Sequence, residues 1–216
     1  MNPTLSPALA ALPTTWQIIL RHLKMGGEAG AEDLAAVAGI TLSGARQHLT
    51  ALERDGLVTY RERRDGPGRP RRLYTLTPAG DALFPRAYAE LTNELLQYVE
   101  DEDPELLTRV FDRRARRRLA GCRARAVGLP FAEQVRVVAQ ILDEDGYLAD
   151  FAARDDGTFV ITEHNCAVLS VAQRYGLACS SELAFLQEAL PDADVARIAH
   201  RLAGAHVCAY EVRPRT

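Results

Sequence analysis

The fold of the first third of the chain is decided by residues 41–76, TLSGARQHLTALERDGLVTYRERRDGPGRPRRLYTL. Thr41 is a favourable N-cap for a helix that ends at Asp55-Gly56. The apolar residues of this helix recur at intervals of three and four: Leu42, Ala45, Leu49 and Leu52. Residues 57–62 and 71–76 are rich in Val, Thr, Tyr and Leu, which favours two strands joined by a loop too long for a two-residue turn. The segment therefore predicts a helix followed by a β-hairpin.

Two more helices are predicted upstream. Thr14 can cap the first, and its apolar residues share one face: Trp16, Ile19, Leu20 and Leu23. The second covers residues 31–38, with Leu34 and Val37 facing inward and Gly39 supplying a left-handed stop. Helix, short helix, turn, helix and hairpin is the order of a winged helix-turn-helix, which we predict for residues 1–79.

The local charge of this segment favours a nucleic-acid partner. Eight arginines and four acidic residues lie between Thr41 and Thr75, although the whole chain has a net charge of −3. A helix fits the major groove of DNA, and the outward side chains of its first half reach base edges. On the helix the outward candidates are Ser43, Gly44, Arg46, Gln47 and Thr50. On the hairpin the basic candidates are Arg64, Arg69 and Arg71, of which Arg69 at the tip suits a minor groove.

Each of these residues alone could be an ordinary solvated side chain, but together they predict binding to double-stranded operator DNA. A second basic run, residues 109–125, holds eight arginines and follows an acidic patch. We interpret this run as solvated helix faces that pair with each other, rather than as a second nucleic-acid surface.

Residues 80–129 are predicted to be a helical linker and dimerisation region. Thr77-Pro78 starts a helix that reaches about residue 98, and Pro85 must kink or restart it. Its apolar positions are Leu83, Tyr88, Leu91, Leu95 and Val99. Pairing with a second copy would bury this stripe and set two reading helices about one DNA turn apart. Packing against residues 104–125 of the same chain is the alternative.

Residues 130–216 are predicted to form an α+β sensory domain with a small antiparallel sheet. Asp155-Asp156-Gly157 between two strand-like segments is a strong hairpin signal, and residues 207–212 are predicted to be a last strand. Helices are predicted at about 131–145, 166–175, 181–189 and 192–203. The fold class predicted for the whole chain is α+β, mainly helical.

Composition places the chain among ordinary globular proteins, with 216 residues, 47% hydrophobic and 25% charged. No apolar run is long enough to cross a membrane, so we expect no membrane span. The first twenty residues lack the pattern of an export signal, so we expect a cytoplasmic protein with reduced thiols. No Ser/His/Asp order, phosphate-cradling glycine loop or H-E-x-x-H motif points to catalysis, and we expect no enzyme activity.

Cysteine usage then needs its own explanation. Cys166, Cys179 and Cys208 all fall in the predicted sensory domain, without a C-x-x-C pair that would suggest a zinc ribbon. Inert buried thiols would account for the spacing alone. Cys166 and Cys179 nevertheless fall at the ends of predicted elements, where ligands are often carried. Cys122 lies apart, in the arginine-rich segment.

The sequence Glu163-His164-Asn165-Cys166, followed by twelve residues to Cys179 and twenty-eight more to Cys208, resembles the sensory domain of the SufR-type repressors of iron–sulfur cluster assembly operons. One branch of that family has the pattern C-x12-C-x13-C-x14-C, which this chain matches at the first, second and fourth positions. The third position falls on Ala193. The resemblance extends to the Gly68-Arg69-Pro70 tip and to residues 76–80.

This resemblance implies a homodimeric repressor that holds one [4Fe–4S] cluster per subunit through Cys166, Cys179 and Cys208 and acts as a redox sensor. It further implies that operator DNA is bound with the cluster present and released when the cluster is lost. The fourth ligand is left open among His164, Glu163, His200, His206, Cys122 and an exogenous small molecule. The alternative is a winged-helix regulator of another metal or small-molecule effector, in which the cysteines are structural.

Overall fold

The structure, a computed structural model, describes residues 6–64 and 70–215. It divides into two compact units, with the boundary between Ala87 and Tyr88. Helices predominate and both sheets are antiparallel, so the predicted α+β class is confirmed. Across the described ranges, the helices are all too short or too polar to cross a membrane.

The first unit has the element order of a winged helix-turn-helix. Its helices are α1 (Pro7–Ala10), α2 (Thr14–Gly26), α3 (Ala31–Ala38), α4 (Leu42–Arg54) and α5 (Pro78–Asp81). Its strands are β1 (Ala29–Gly30), β2 (Val58–Arg63) and β3 (Arg71–Leu76). The strands pair in the order β1-β3-β2, and the β2–β3 hairpin, or wing, has Val58 opposite Leu76 and Arg63 opposite Arg71. The short α1 and β1 were not predicted from the sequence, because they are too brief to carry a periodic signal.

The core of this unit follows the predicted apolar stripes, with one exception. The fully buried residues are Leu9, Ile19, Leu20, Leu34, Ala45, Leu49 and Leu52. Val37 was predicted to face inward, but it is 46% exposed. The inward face of α3 is formed by Ala31, Leu34 and Ala35, and Val37 lies about 110° from its centre at ~100° per residue.

The second unit packs helices on a four-stranded sheet. Its helices are α6 (Tyr88–Glu102), α7 (Pro104–Ala126), α8 (Phe131–Leu142), α9 (Leu169–Arg174) and α10 (Leu177–Ala189). Its strands are β4 (Ala149–Ala153), β5 (Phe159–Glu163), β6 (Ala193–Ala199) and β7 (Cys208–Pro214), in the order β4-β5-β7-β6. The core between sheet and helices includes Val135, Val138, Leu142, Ile161, Phe185, Leu186, Tyr210 and Val212.

The predicted helix at 192–203 is wrong, because most of that segment is β6 and only Arg201–Ala203 forms a 3₁₀ turn. Burial alternates along the strand, with Ala193 and Val195 buried and Asp194 exposed, and β7 supplies its hydrogen-bonding partner. Pairing with a neighbouring strand therefore overrides the helix propensity of the alanines.

Residues 80–129, predicted as a separate linker, are shared between the two units. The predicted helix from Thr77-Pro78 stops after α5 and restarts at α6 beyond Pro85, as that proline requires. Gly80 in α5 is tightly packed, since a Cβ there would lie 2.0 Å from the carbonyl oxygen of Leu57. This contact ties α5 to the base of the wing, while α6 and α7 belong to the second unit.

Candidate functional site

The outward face of α4 is open in the first unit. Ser43, Arg46, Gln47 and Thr50 are exposed, and Gly44 is partly exposed beneath the Thr41 cap. The Thr41 hydroxyl accepts a hydrogen bond from the Gly44 N–H at 3.1 Å, which starts the helix at the predicted residue. The Thr50 hydroxyl donates to the Arg46 carbonyl at 2.9 Å, so its oxygen lone pairs remain free to accept. This face carries the donors and acceptors that base-edge recognition requires.

The inner side of α4 is fixed by a polar contact that the sequence analysis missed. Trp16 Nε1 on α2 donates to His48 Nδ1 on α4 at 3.2 Å. This bond adds a directional constraint to the apolar packing of Leu49 and Leu52, so the rotation of α4 about its axis is fixed. Trp16 and His48 both fall on or near predicted apolar faces, and neither carries a sequence signal for pairing.

The wing arginines have different environments. Arg64 is exposed, and Arg69 lies outside the described residues. Arg71 Nη2 donates to Asp33 Oδ2 at 2.8 Å, so a contact between Arg71 and DNA would require exchange of this partner. The guanidinium of Arg72, not among the predicted site residues, lies 4.0 Å from the centre of the Tyr60 ring and leaves the wing surface basic.

In the second unit, the three thiols lie on three separate elements. Cys166 precedes α9, Cys179 lies in the first turn of α10 and Cys208 begins β7. Cys208 contributes to raising the pKa of Cys166, and both thiols contribute to raising the pKa of Cys179. The three thiols are therefore within electrostatic range of one another. The backbone N–H of Arg201 also donates to Cys208 Sγ at 3.4 Å.

Buried polar side chains lie beside the thiols. Glu163 and Glu182 are both buried, and the Tyr210 hydroxyl donates to Glu182 Oε1 at 2.7 Å. Arg118 Nη1 lies 4.0 Å from Glu182 Oε2, and Arg197 Nη2 donates to the carbonyl of Cys179. We call Glu163, Glu182, Tyr210, Arg118 and Arg197 the polar nest. Arg118, whose side chain is 8% exposed, contradicts the interpretation of the 109–125 run as uniformly solvated.

Electrostatics keep the thiols and one carboxyl protonated. Burial is the main cause that raises the pKa of Cys166, Cys208 and Cys179, the last to about 11. Burial and the neighbouring Glu182 raise the pKa of Glu163 to about 9. A cation is needed to favour the thiolate forms, which are the metal-binding forms of cysteine.

The remaining candidate ligands are dispersed. His164 Nε2 lies 3.0 Å from Asp150 Oδ2 on an exposed surface, and His206 is exposed. Cys122 is buried in the main core of the second unit. Burial also raises the pKa of the Cys122 thiol. His200 Nε2 is buried and has no hydrogen-bond partner among the described residues, as is also true of Glu163 Oε1.

The third position of the SufR-type pattern is far from the thiols. Ala193 pairs with Pro214 at the opposite end of β7 from Cys208, which places it about 20 Å away at ~3.3 Å per residue. A side chain at position 193 is therefore too far from the three cysteines to share a cluster with them in this chain. Within residues 6–64 and 70–215, no three His, Cys, Asp or Glu side chains are close enough to hold a single metal ion. Ligands of a cluster bind different iron atoms, so their spacing is wider than that of ligands to one ion.

Four residues of the polar nest were not predicted from the sequence: Arg118, Glu182, Arg197 and Tyr210. One sequence signal was available for Glu182. This residue lies between Cys179 and Phe185, on the side of the predicted helix that faces inward, where a charged residue is unusual. No pattern in the arginine run distinguishes Arg118 from its solvated neighbours.

Solved structures show partial likenesses to this chain. A MarR family transcriptional regulator from Silicibacter pomeroyi DSS aligns over 44% of this chain and 60% of its own length, with 23% identity and a TM-score of 0.30. NadR in complex with 4-hydroxyphenylacetate aligns over 48% and 76%, with 27% identity and a TM-score of 0.31. Bacillus subtilis PadR in complex with operator DNA aligns over 59% and 88%, with 16% identity and a TM-score of 0.28.

No family model matches the sequence, and a comparison with curated proteins finds no match. The chain spans 60% of the length of the first solved structure, and all three superpositions are limited in extent. The winged helix-turn-helix is therefore assigned from the order and pairing of this chain's own elements.

Proposed function

We propose that the protein is a homodimeric transcription repressor that binds operator DNA and senses iron–sulfur or redox status through a [4Fe–4S] cluster. We propose that it acts in the cytoplasm and that the genes it controls are those of iron–sulfur cluster assembly. The placement of Cys166, Cys179 and Cys208 within electrostatic range of one another, beside a buried polar nest, is the observation that carries the sensory part. The winged helix with its exposed polar face carries the DNA-binding part.

In the DNA-binding part, α4 would enter the major groove. Gln47 suits an adenine edge, and Arg46 suits a guanine edge or a phosphate. Arg64 and Arg72 give the wing a basic surface for the backbone, while Arg69 is proposed to reach the minor groove. The hydrogen bond from Trp16 to His48 would keep these reading residues in register during binding.

In the sensory part, the donor set fits an iron–sulfur cluster. Three thiols approach from a loop, a helix start and a strand start, and Glu163 Oε1 nearby has no hydrogen-bond partner among the described residues. When bound, the cluster would supply an oxidation-sensitive link between these elements. Arg197 and the backbone of Arg201 would contribute hydrogen bonds and positive charge around the thiolates.

A polar contact connects this region to α6. Asn93 Nδ2 on α6 donates to Ser170 Oγ on α9 at 2.9 Å, and the Tyr175 hydroxyl donates to the Asn93 carbonyl at 3.3 Å. Because α9 begins three residues after Cys166, a shift of the Cys166 loop would be transmitted to α6.

The exposed face of α6 favours a second copy as partner. Leu91 and Leu95 are 50% and 53% exposed, and Tyr98 is 55% exposed, at three- and four-residue spacing. This stripe suits the symmetric helix pairing of a two-fold dimer. Cluster loss would then alter the pairing and hence the spacing of the two reading helices on DNA.

The DNA-binding part is tested by selecting duplexes from a random-sequence library with anaerobically reconstituted protein. We expect one enriched palindrome, and Q47A should weaken its binding by about 1–3 kcal/mol and relax one base position. Arg54→Ala, at the exposed end of α4 where Arg54 pairs with Asp55, is the matched control and should change affinity little. Failure of the wild type to enrich any sequence would refute specific DNA recognition.

The sensory part is tested by measuring iron and acid-labile sulfide per chain after anaerobic reconstitution. We expect about four of each in the wild type, the composition of a [4Fe–4S] cluster. Cys166→Ser, Cys179→Ser and Cys208→Ser should each lower this content, while C122S should retain it because Cys122 is buried in the core. Wild type without iron or sulfide, or a triple cysteine variant that still responds normally, would instead favour a small-molecule effector with structural thiols.

A further inference from the structure

Glu163 has a buried oxygen for which the described residues offer no partner. The residue is 3% exposed, and its Oε1 makes no hydrogen bond among them. A buried carboxyl oxygen without a partner costs free energy, and the polar residues around it leave this oxygen unused. Glu182, its neighbour, is already held by Tyr210 and faces Arg118. Among the carboxylate oxygens of the nest, Oε1 of Glu163 is the one that is buried without a hydrogen-bond partner in the described residues; Arg118 Nε and Nη2 and Arg197 Nε also have none.

Sheet register places Glu163 beside the thiols. Glu163 on β5 lies directly opposite Cys208 on β7, so the two side chains project from the same face of the sheet. Cβ atoms of directly opposed residues are about 4.5–5.5 Å apart. Along the chain, Glu163 is also three residues before Cys166. Besides burial, the carboxyl of Glu163 contributes to raising the pKa of both the Cys166 and Cys208 thiols, so it lies within electrostatic range of each.

Other candidate ligands are less well placed. His164 is paired with Asp150, His206 is exposed, and Cys122 is in the apolar core. His200 also has a buried nitrogen without a described partner, but it follows β6 and is only partly buried as a residue. His200 is thus the one rival that the geometry leaves for a direct test.

We infer that Glu163 supplies the fourth protein ligand of the cluster through Oε1, an inference that rests on the proposed sensory function. A carboxylate oxygen is a harder ligand than a thiolate, and soft thiolates are the preferred ligands of iron–sulfur clusters. Glu163 would therefore hold its iron more weakly than the three thiolates hold theirs, and in air this would be the first link to the protein to be lost. The sensor would owe its lability to this one oxygen ligand.

The test compares wild type with E163Q, E163C and H200A, each reconstituted anaerobically with ferrous iron and sulfide. Cluster decay in air-saturated buffer is followed by visible absorbance, and iron and sulfide per chain are measured at the start. We expect E163Q to lose its cluster about tenfold faster or more, since changes even to the outer partners of metal ligands typically cost 10–100-fold in metal affinity. E163C should lose it more slowly than wild type, and H200A should match wild type.

Glu211→Gln is the matched control, because it alters a partly buried carboxyl of β7 whose partners are Arg154 and Arg213. It should keep the wild-type decay rate. Mössbauer spectra of ⁵⁷Fe-labelled protein give a second readout: wild type should show one iron site distinct from three thiolate-bound sites, and E163C should show four alike.

The outcomes separate this inference from the function on which it rests. Wild type that takes up no iron or sulfide refutes the proposed sensory function and the inference with it. Wild type that loads normally, with E163Q and E163C both decaying at its rate, overturns the Glu163 assignment alone. Faster decay in H200A but not in E163Q would also overturn it and assign the position to His200. If E163Q does not fold, as judged by circular dichroism, E163C decides the question by its decay rate and spectrum.

Discussion

Replacing Arg118 by alanine should destabilise the second unit far more than replacing a surface arginine of the same helix. Arg118 Nε lies 2.7 Å from Asp145 Oδ2, an ion pair without the alignment of a hydrogen bond, and its side chain is 8% exposed. Its guanidinium also lies 4.8 Å from the centre of the Phe185 ring. Removal would leave Glu182 without its nearest cation in a buried site.

The magnitude follows from burial. Removing one partner of a buried pair costs about 3–5 kcal/mol, because the remaining charge stays desolvated. Asp145 is 37% exposed and keeps part of its hydration, and Glu182 keeps the hydrogen bond from Tyr210. We therefore expect a loss at the lower end, about 3 kcal/mol in the free energy of unfolding.

Arg125→Ala is the control, since Arg125 also lies on α7 and its Nη1 is 2.7 Å from Glu144 Oε2, but both side chains are well exposed. Such surface pairs contribute about 1 kcal/mol or less. Amide hydrogen exchange in α10 and β7 reports opening of this unit. At 1.4 kcal/mol per tenfold, R118A should raise exchange by about 150-fold and R125A by about fivefold or less. Fluorescence of Trp16, the one tryptophan, monitors the first unit.

Equal exchange rates in R118A and R125A would refute the reasoning, because they would mean that Arg118 is solvated like its neighbours. A large loss of unfolding free energy in R118A with wild-type amide exchange in α10 would also contradict this prediction. The damage should be centred on the elements that carry Glu182 and Phe185, which are both on α10.

Three further predictions concern local structure. Thr41→Ala removes the cap of α4 and should lower the stability of the first unit by about 1 kcal/mol, measured by urea unfolding with tryptophan fluorescence; no change would mean that the cap is replaced by water. Gly80→Ala should destabilise the same unit by about 1–3 kcal/mol, because its Cβ would lie 2.0 Å from the oxygen of Leu57; wild-type stability would show that α5 can shift freely. In native metal-free protein, iodoacetamide should modify Cys122 much more slowly than Cys166, as followed by peptide mass spectrometry. Cys122 is 1% exposed and its thiol has a pKa raised by burial, so comparable rates would contradict its core position.

The fold of the first unit was largely predictable because its signals are local. A cap, a four-residue apolar stripe and a turn each act within a few residues, and the hairpin follows directly along the chain. Val37 was mispredicted because a two-turn helix offers too few residues to define which face is buried. The strand at Ala193–Ala199 was missed for a different reason: its partner, β7, follows later in the chain, and local alanine content favours a helix.

The candidate sensory site was predictable only in its thiols. Cys166, Cys179 and Cys208 were selected from a resemblance in spacing, and the fold brings them within electrostatic range. Glu163 was one of six open choices, because its position opposite Cys208 depends on the register of two strands separated by more than forty residues. The nest residues Arg118 and Glu182 were missed, since ordinary charged residues carry no sign in the sequence that they will be buried.

The energetics of α6 explain why a signal from the thiols would act there. None of its residues is fully buried. Leu96 and Val99 pack at the edge of the apolar cluster that includes Ala172 of α9, and Asn93 and Gln97 hydrogen-bond to Ser170 and Arg174 of α9. Each such hydrogen bond contributes about 0.5–1.5 kcal/mol, so a small shift of α9 is enough to break one and form another. Elements with little buried apolar surface are the ones that open and rearrange most readily. Helix α6 also directly follows the boundary after Ala87 and bears the exposed Leu91–Leu95 stripe. The helix proposed to form the dimer therefore has only partly buried contacts with its own unit, an arrangement that would let a shift of α9 change its position.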